Sequence, residues 1–165
     1  MVKADWTIYE EDYWAVTSVL KELLKNSNSQ SVLLIDKTGQ MIASVGMEPD
    51  FDLMSFASLC AADFEANSQL AKLIGEKDFS TLYHQGVDDS MYLARVAEHI
   101  ILVILFNKRT TLGLVRLRVK KAVEGLNSIL TQLFDKLEYK NEDLNEFDEE
   151  FTDELNKEID SLFSD

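Results

Sequence analysis

Two histidines, one cysteine and thirty carboxylates are the side chains from which this 165-residue chain could build chemistry. A nucleophilic cysteine needs a base or cation nearby to lower its thiol pKa. Cys60 has none at helical spacing and apolar neighbours on either side, so it reads as a buried structural thiol. His84 and His99 fall on separate β-type segments, a poor pattern for a histidine-based metal centre. The acidic pairs Glu10/Glu11 and Asp88/Asp89 could be offered as acid–base couples, but a helix N-terminus and a hairpin turn account for them. The phosphate-cradling pattern GxxxxGK(S/T) is absent, as are GxGxxG, GxSxG and HExxH. The expectation is a chain that is not itself an enzyme and takes no cofactor or metal.

Two charged features survive that sweep. The first is basic: Lys108 and Arg109, then Arg116, Arg118, Lys120 and Lys121. Bases near a helix N-terminus oppose its dipole. They read either as a solvated face or as a patch for an acidic partner, the chain's own tail among the candidates. The second is that tail. Residues 138–165 hold 12 acids and two lysines, most of the net charge of −14. Within them Phe147, Phe151, Leu155 and Ile159 recur every four residues, followed by Leu162 and Phe163. That spacing places the apolar residues on one helical face. A disordered acidic extension is one reading, and a helix that folds on docking into a groove is the sharper one. Burying four such side chains gives roughly 6–12 kcal/mol gross, against about 2–5 kcal/mol for ordering. The balance suits a weak, reversible contact.

The overall negative charge argues against nucleic acid as a main partner, since phosphates require a basic surface. No apolar run approaches the roughly 18 residues of a membrane span, the N-terminus lacks a signal pattern, and one cysteine suits a reducing cytosol. A cytoplasmic address without membrane insertion follows as the expectation.

The elements that must carry these residues follow from periodicity. Tyr9 to Leu24 reads as a helix with Tyr13, Val16, Leu20, Leu23 and Leu24 on one face. Ser31 to Ile35 and Met41 to Val45 flank a five-residue connection containing Gly39, a hairpin signal. Phe51 to Gly75 predicts a long helix, then Phe79 to Gln85, Ser90 to Val96 and Ile100 to Phe106 predict an antiparallel meander. The almost wholly apolar last strand should be central. Thr110 or Thr111 caps a final helix whose stripe is Val115, Val119, Ala122, Leu126, Ile129, Leu133 and Leu137. The fold class is therefore α/β, a three-layer sandwich of order α-β-β-α-β-β-β-α around a five-stranded antiparallel-type sheet. Residues 1–137 form the domain and residues 138–165 the acidic tail.

The helix at 51–75 is unusual. Leu59, Ala62, Ala66, Leu70 and Leu73 form one apolar stripe, and Ala57, Cys60, Phe64, Ala71 and Ile74 a second beside it. Only a band near Ser58, Glu65, Gln69 and Lys72 is polar. A helix apolar over so much of its circumference needs cover on two sides. The sheet supplies one, and a second subunit is the economical source of the other.

Element order and several local stretches together resemble the Roadblock family. Those stretches are Tyr9-Glu10-Glu11, Leu34 to Gln40, Leu70 to Glu76, Thr110 to Arg118 and Ile159 to Ser164. The similarity runs over nearly all of residues 8–137 and returns at the C-terminus. It implies a homodimer joined edge to edge through the strand at Phe79–Gln85, with the second helices side by side. On that basis Cys60, Phe64, Ala71, Leu82, Tyr83 and His84 are expected at the dimer interface. It further implies a regulator, in cell polarity or motility, that binds a GTP-loaded Ras-like small GTPase. Hydrolysis would be stimulated by positioning the GTPase's own groups, and the protein can concentrate at a cell pole. Ser58, Ala61, Ala62, Glu65, Gln69 and Lys72 are the expected contacts, with Leu155, Ile159, Leu162 and Phe163 docking from the tail. One departure stands out. The outward band of this helix is commonly small in relatives that bind the GTPase, whereas here it carries Glu65 and Gln69, with Asp63 and Asn67 nearby. A diverged scaffold dimer that binds a different protein is the alternative.

Overall fold

The computed structural model describes residues 10–135. It contains α1 (Glu10–Ser27), β1 (Ser31–Asp36), β2 (Met41–Gly46), α2 (Leu53–Leu73), β3 (Thr81–Gln85), β4 (Asp89–Ala97) and β5 (Ile100–Asn107). A last helix, α3, begins at residue 112 and is described to 135. The chain divides into two compact units at 129/130. In the second unit only residues 130–135 are described, and they are helical. Leu137, the expected boundary at 137/138 and the whole acidic tail lie outside the described residues, as does Tyr9.

The strands form one antiparallel sheet in the order β2-β1-β5-β4-β3. β5 is central, as its unbroken apolar run requires, and β3 is an edge strand. Alternation along the strands divides the core. Leu33, Ile35, Leu93, Ile101 and Val103 face α2 and pack on Ala57, Cys60, Ala61 and Phe64. Val32, Leu34, Leu102 and Ile104, also buried, alternate with them and face the opposite side. There α1 supplies Val16, Leu20 and Leu23, and α3 supplies Val115, Val119, Ala122 and Leu126. Gly125 of α3 sits beside Val19 of α1, where an added Cβ would meet the valine methyls at 3.9 Å, an ordinary contact. The result is the expected three-layer arrangement, with one helix over one face and two over the other.

Local chemistry sets the element ends. At α2, Asp52 is the N-cap: its carboxylate accepts from the Met54 N–H at 3.2 Å and from the Ser55 hydroxyl. These bonds, the Ser55 hydroxyl's first, hold its pKa below the usual carboxylate value. Helix α2 therefore starts at Leu53 rather than Phe51. It stops where Gly75 takes a φ of 84°. The Glu76 N–H then reaches the Ala71 carbonyl at 2.9 Å and the Gly75 N–H the Lys72 carbonyl at 3.2 Å, a Schellman closure. Helix α3 is capped by Thr111, whose hydroxyl accepts from the Leu114 N–H at 3.3 Å. In the β1–β2 turn, the buried Asp36 carboxylate accepts from the Thr38 N–H (2.8 Å), the Thr38 hydroxyl (2.6 Å) and the Gln40 N–H (2.9 Å). Gly39, at φ 86°, then lies so close to α2 that a Cβ there would come within 2.5 Å of the Ser58 Cα. The turn is thus fitted to the helix beside it.

Candidate protein-interaction site

Helix α2 presents two unlike faces. Toward the sheet, Ala57, Cys60, Ala61, Phe64 and Ala71 are all at most 3% exposed. Burial, with the Asp63 charge as a smaller contributor, pushes the Cys60 thiol up to about 12, so it is protonated and inert at neutral pH. Away from the sheet, Leu59 is 69% exposed, Leu70 54% and Leu73 82%, with Ala62 and Ala66 between them also exposed. The two stripes read from the sequence are therefore real, but among the described residues only one is covered.

This assignment corrects four residue expectations. Cys60, Phe64 and Ala71, expected at a dimer interface, and Ala61, expected to meet a partner, are sealed inside their own domain. The reason is the angular position of the sheet, which sits under the 57/60/61/64/71 arc and leaves the 59/62/66/70/73 arc outside. Ile74, grouped with the buried arc, lies beyond the helix end and is 70% exposed. The remaining α2 candidates, Ser58, Ala62, Glu65, Gln69 and Lys72, are all on the exposed face. Leu155, Ile159, Leu162 and Phe163 lie outside the described residues.

The open edge adjoins this stripe. β3 pairs only with β4, leaving its other edge unpaired among the described residues. It begins at Thr81, two residues later than expected, and the Ser80 carbonyl just before it accepts from the Arg95 N–H at 2.9 Å. Leu82 and His84 share the face that looks toward α2, where Leu82 packs on the core. Tyr83 points to the other side and stacks on Phe106 at a centroid distance of 6.1 Å. His84 Nε2 lies 2.6 Å from an Asp63 carboxylate oxygen, tying the edge strand to α2 beside the exposed stripe. Asn67 donates to the same Asp63 side chain at 3.1 Å. Arg95 braces the loop between α2 and β3: it pairs with Asp78, donates to the Ser68 hydroxyl at 3.1 Å and lies 5.1 Å from the Phe64 ring centre. Neither tie follows from periodicity, since each joins residues far apart in sequence.

Among the described residues no group of three His, Cys, Asp or Glu side chains is placed to hold a metal, and no helix is long and apolar enough to cross a membrane. An apolar helical stripe lies beside a strand edge left unpaired among the described residues, and both are surfaces of the kind through which chains associate.

Comparison with known proteins agrees. Residues 16–106 match the Roadblock/LC7 domain, more than half of the sequence, and the chain belongs to that family. Within it the chain is similar to MglB proteins. It is 43% identical to Myxococcus xanthus MglB, covering 77% of this chain and 96% of that one, with a TM-score of 0.73. The gliding protein MglB from Thermus thermophilus is 33% identical over 79% of this chain and 99% of its own, also at a TM-score of 0.73. An MglB structure with a tetrameric arrangement is 32% identical, covering 80% and 99%, at a TM-score of 0.74.

Proposed function

We propose that the chain is a homodimeric regulator of a Ras-like, MglA-type small GTPase. The observation that carries this reading is the uncovered α2 stripe beside the open β3 edge, in a chain 43% identical to an MglB protein. Two copies join through β3, so that their sheets become continuous and their α2 helices lie side by side. The paired helices then take the GTP-bound GTPase through Ser58, Ala62 and Lys72. The chain brings no reacting group. Its contribution is to hold the GTPase's own catalytic groups in line, which is where most of the barrier to phosphoryl transfer can be lowered. A role in cell polarity or motility, from the cytoplasm and concentrated at a cell pole, goes with this reading. The test is single-turnover GTP hydrolysis by the cognate Ras-like protein, with and without saturating amounts of this chain. Acceleration is expected, and an unchanged rate in a verified complex would overturn the activating role.

A second reading is favoured by one specific observation. The Gln69 side chain donates to Glu65 at 2.7 Å, a paired polar ridge on the outer face of α2. Such a ridge keeps a closely approaching surface at a distance, and a scaffold dimer with a different protein partner accommodates it. Replacing both residues by alanine separates the readings: GTPase binding improves if the ridge merely obstructs, and stays absent if the surface is built for another partner.

A further inference from the structure

The basic run at 108–121 does not fold into one patch. Lys108 lies 3.3 Å from Asp88, and Lys121 3.4 Å from Glu22 of α1. Arg118 turns into the seam between α1 and α3. Arg116 and Lys120, one turn apart, are left with no ion-pair partner among the described residues. They border a groove of about 730 Å³ between α3 and strands β3 and β4. Tyr92, Ala94 and Val119 form its floor, and the 63%-exposed Leu117 stands in its wall. Gly113 lies at its margin, and a Cβ there would meet nothing within 4 Å, so the absent side chain leaves that part unfilled.

Glu124 is an acid in the same lining, but Arg95, Arg116 and Lys120 outnumber it. An apolar trough with a net cationic rim fits an acidic segment with helical apolar spacing, and this sequence contains one with that pattern. Residues 147–163 place Phe147, Phe151, Leu155 and Ile159 at four-residue spacing among carboxylates. Ser80 and Thr81 line the groove on the β3 side. If two copies meet along β3, as proposed above, the second copy arrives directly beside it. We propose that this groove receives the segment 147–163 of a second copy of the chain, an inference that rests on that self-association. Carboxylates of the segment pair with Arg116 and Lys120, and its apolar face covers Leu117 and the trough. Thr81, Tyr92 and Ala94 lie on the sheet face opposite α2, so the outer stripe of α2 stays free when the groove is filled.

Cross-linking of the full-length protein tests this, because the single native thiol, Cys60, is buried and unreactive. Copies carrying Leu117→Cys are co-expressed with copies carrying Ile159→Cys and treated with a short bis-maleimide. A cross-linked pair of chains is expected. Its yield should fall severalfold in R116E/K120E, at high ionic strength, and in Gly113→Leu, which adds bulk at the groove margin from a Cβ that meets nothing within 4 Å. Copies carrying Lys25→Cys in place of Leu117→Cys should give no product above background. Three results overturn the proposal: no inter-chain product, a product insensitive to R116E/K120E, or cross-linking only within a chain carrying both cysteines. Sedimentation of the same samples separates the two readings. A dimer without the product sinks the groove proposal alone, whereas a monomer sinks the self-association beneath it.

Discussion

At the residue scale, two side chains carry opposite lessons about buried polar groups. Asp36 is only 5% exposed, yet three donors satisfy one of its oxygens, and it holds the turn that Gly39 presses against α2. Asp36→Ala leaves the Thr38 and Gln40 N–H groups without their acceptor, and a loss of about 1–3 kcal/mol is expected in denaturant unfolding. Gly39→Ala should cost a similar amount or more, because the positive φ and the Ser58 backbone both reject a Cβ. Cys60 is the reverse case, a group kept neutral by burial. Raising its pKa from 9.0 to about 12 leaves roughly a thousandfold less thiolate near neutral pH. Ellman's reagent should therefore react at least that much more slowly with the native chain than with the unfolded one. The sign of the linkage also follows. The folded thiol holds its proton more tightly, so its contribution to stability is intact below pH 9 and is lost as pH rises toward 12. Urea unfolding of wild type against Cys60→Ala should show that alkaline decline in wild type only. The inertness of Cys60 was legible in the sequence from its neighbours. The Asp63–His84 and Arg95–Asp78 ties were not, because local spacing carries no information about which strand a helix will cross.

At the element scale, α2 shows what periodicity can and cannot decide. The sequence contains two apolar stripes, and counting at helical spacing finds both. Which stripe meets the sheet depends on a rotation of the helix by nearly half a turn, and both stripes are apolar enough to satisfy either answer. Small side chains at Ala57, Cys60, Ala61 and Ala71 are the signal that could have settled it, since they let α2 lie close on the sheet around Phe64. The bulkier Leu59, Leu70 and Leu73 were left outside. Paired substitutions make the distinction measurable. Phe64→Ala should cost about 3–5 kcal/mol of fold stability, the usual loss for an aromatic deleted from a packed core. Leu70→Asp should leave the protomer within about 0.5 kcal/mol, as an exposed change does, while abolishing self-association in sedimentation. If Leu70→Asp unfolds the chain and Phe64→Ala does not, the faces have been assigned the wrong way round. Strand order shows the complementary success for β5, whose wholly apolar run had to be central; the edge position of β3 was implied only by the family resemblance.

At the scale of the whole molecule, a nearly balanced body is joined to a segment holding most of the net charge of −14. If that segment docks on the GTPase, deleting residues 139–165 should leave folding and self-association intact and weaken GTPase binding. One weak helical contact is worth about 1.4 kcal/mol per tenfold change in Kd, and a loss of roughly that size is expected by titration calorimetry. The groove beside α3 gives this prediction a second arm with the opposite sign. A tail held on Arg116 and Lys120 is withheld from any other acceptor, and the apparent affinity of a competing partner falls with the fraction that is free. R116E/K120E should therefore release the tail and strengthen GTPase binding, whereas deletion weakens it. The two changes combined should match deletion alone, since there is then no tail to release. Equal affinity in all four proteins would strip the tail of its docking role, while strengthening by R116E/K120E in the deleted background would assign the effect to the charge of α3 itself.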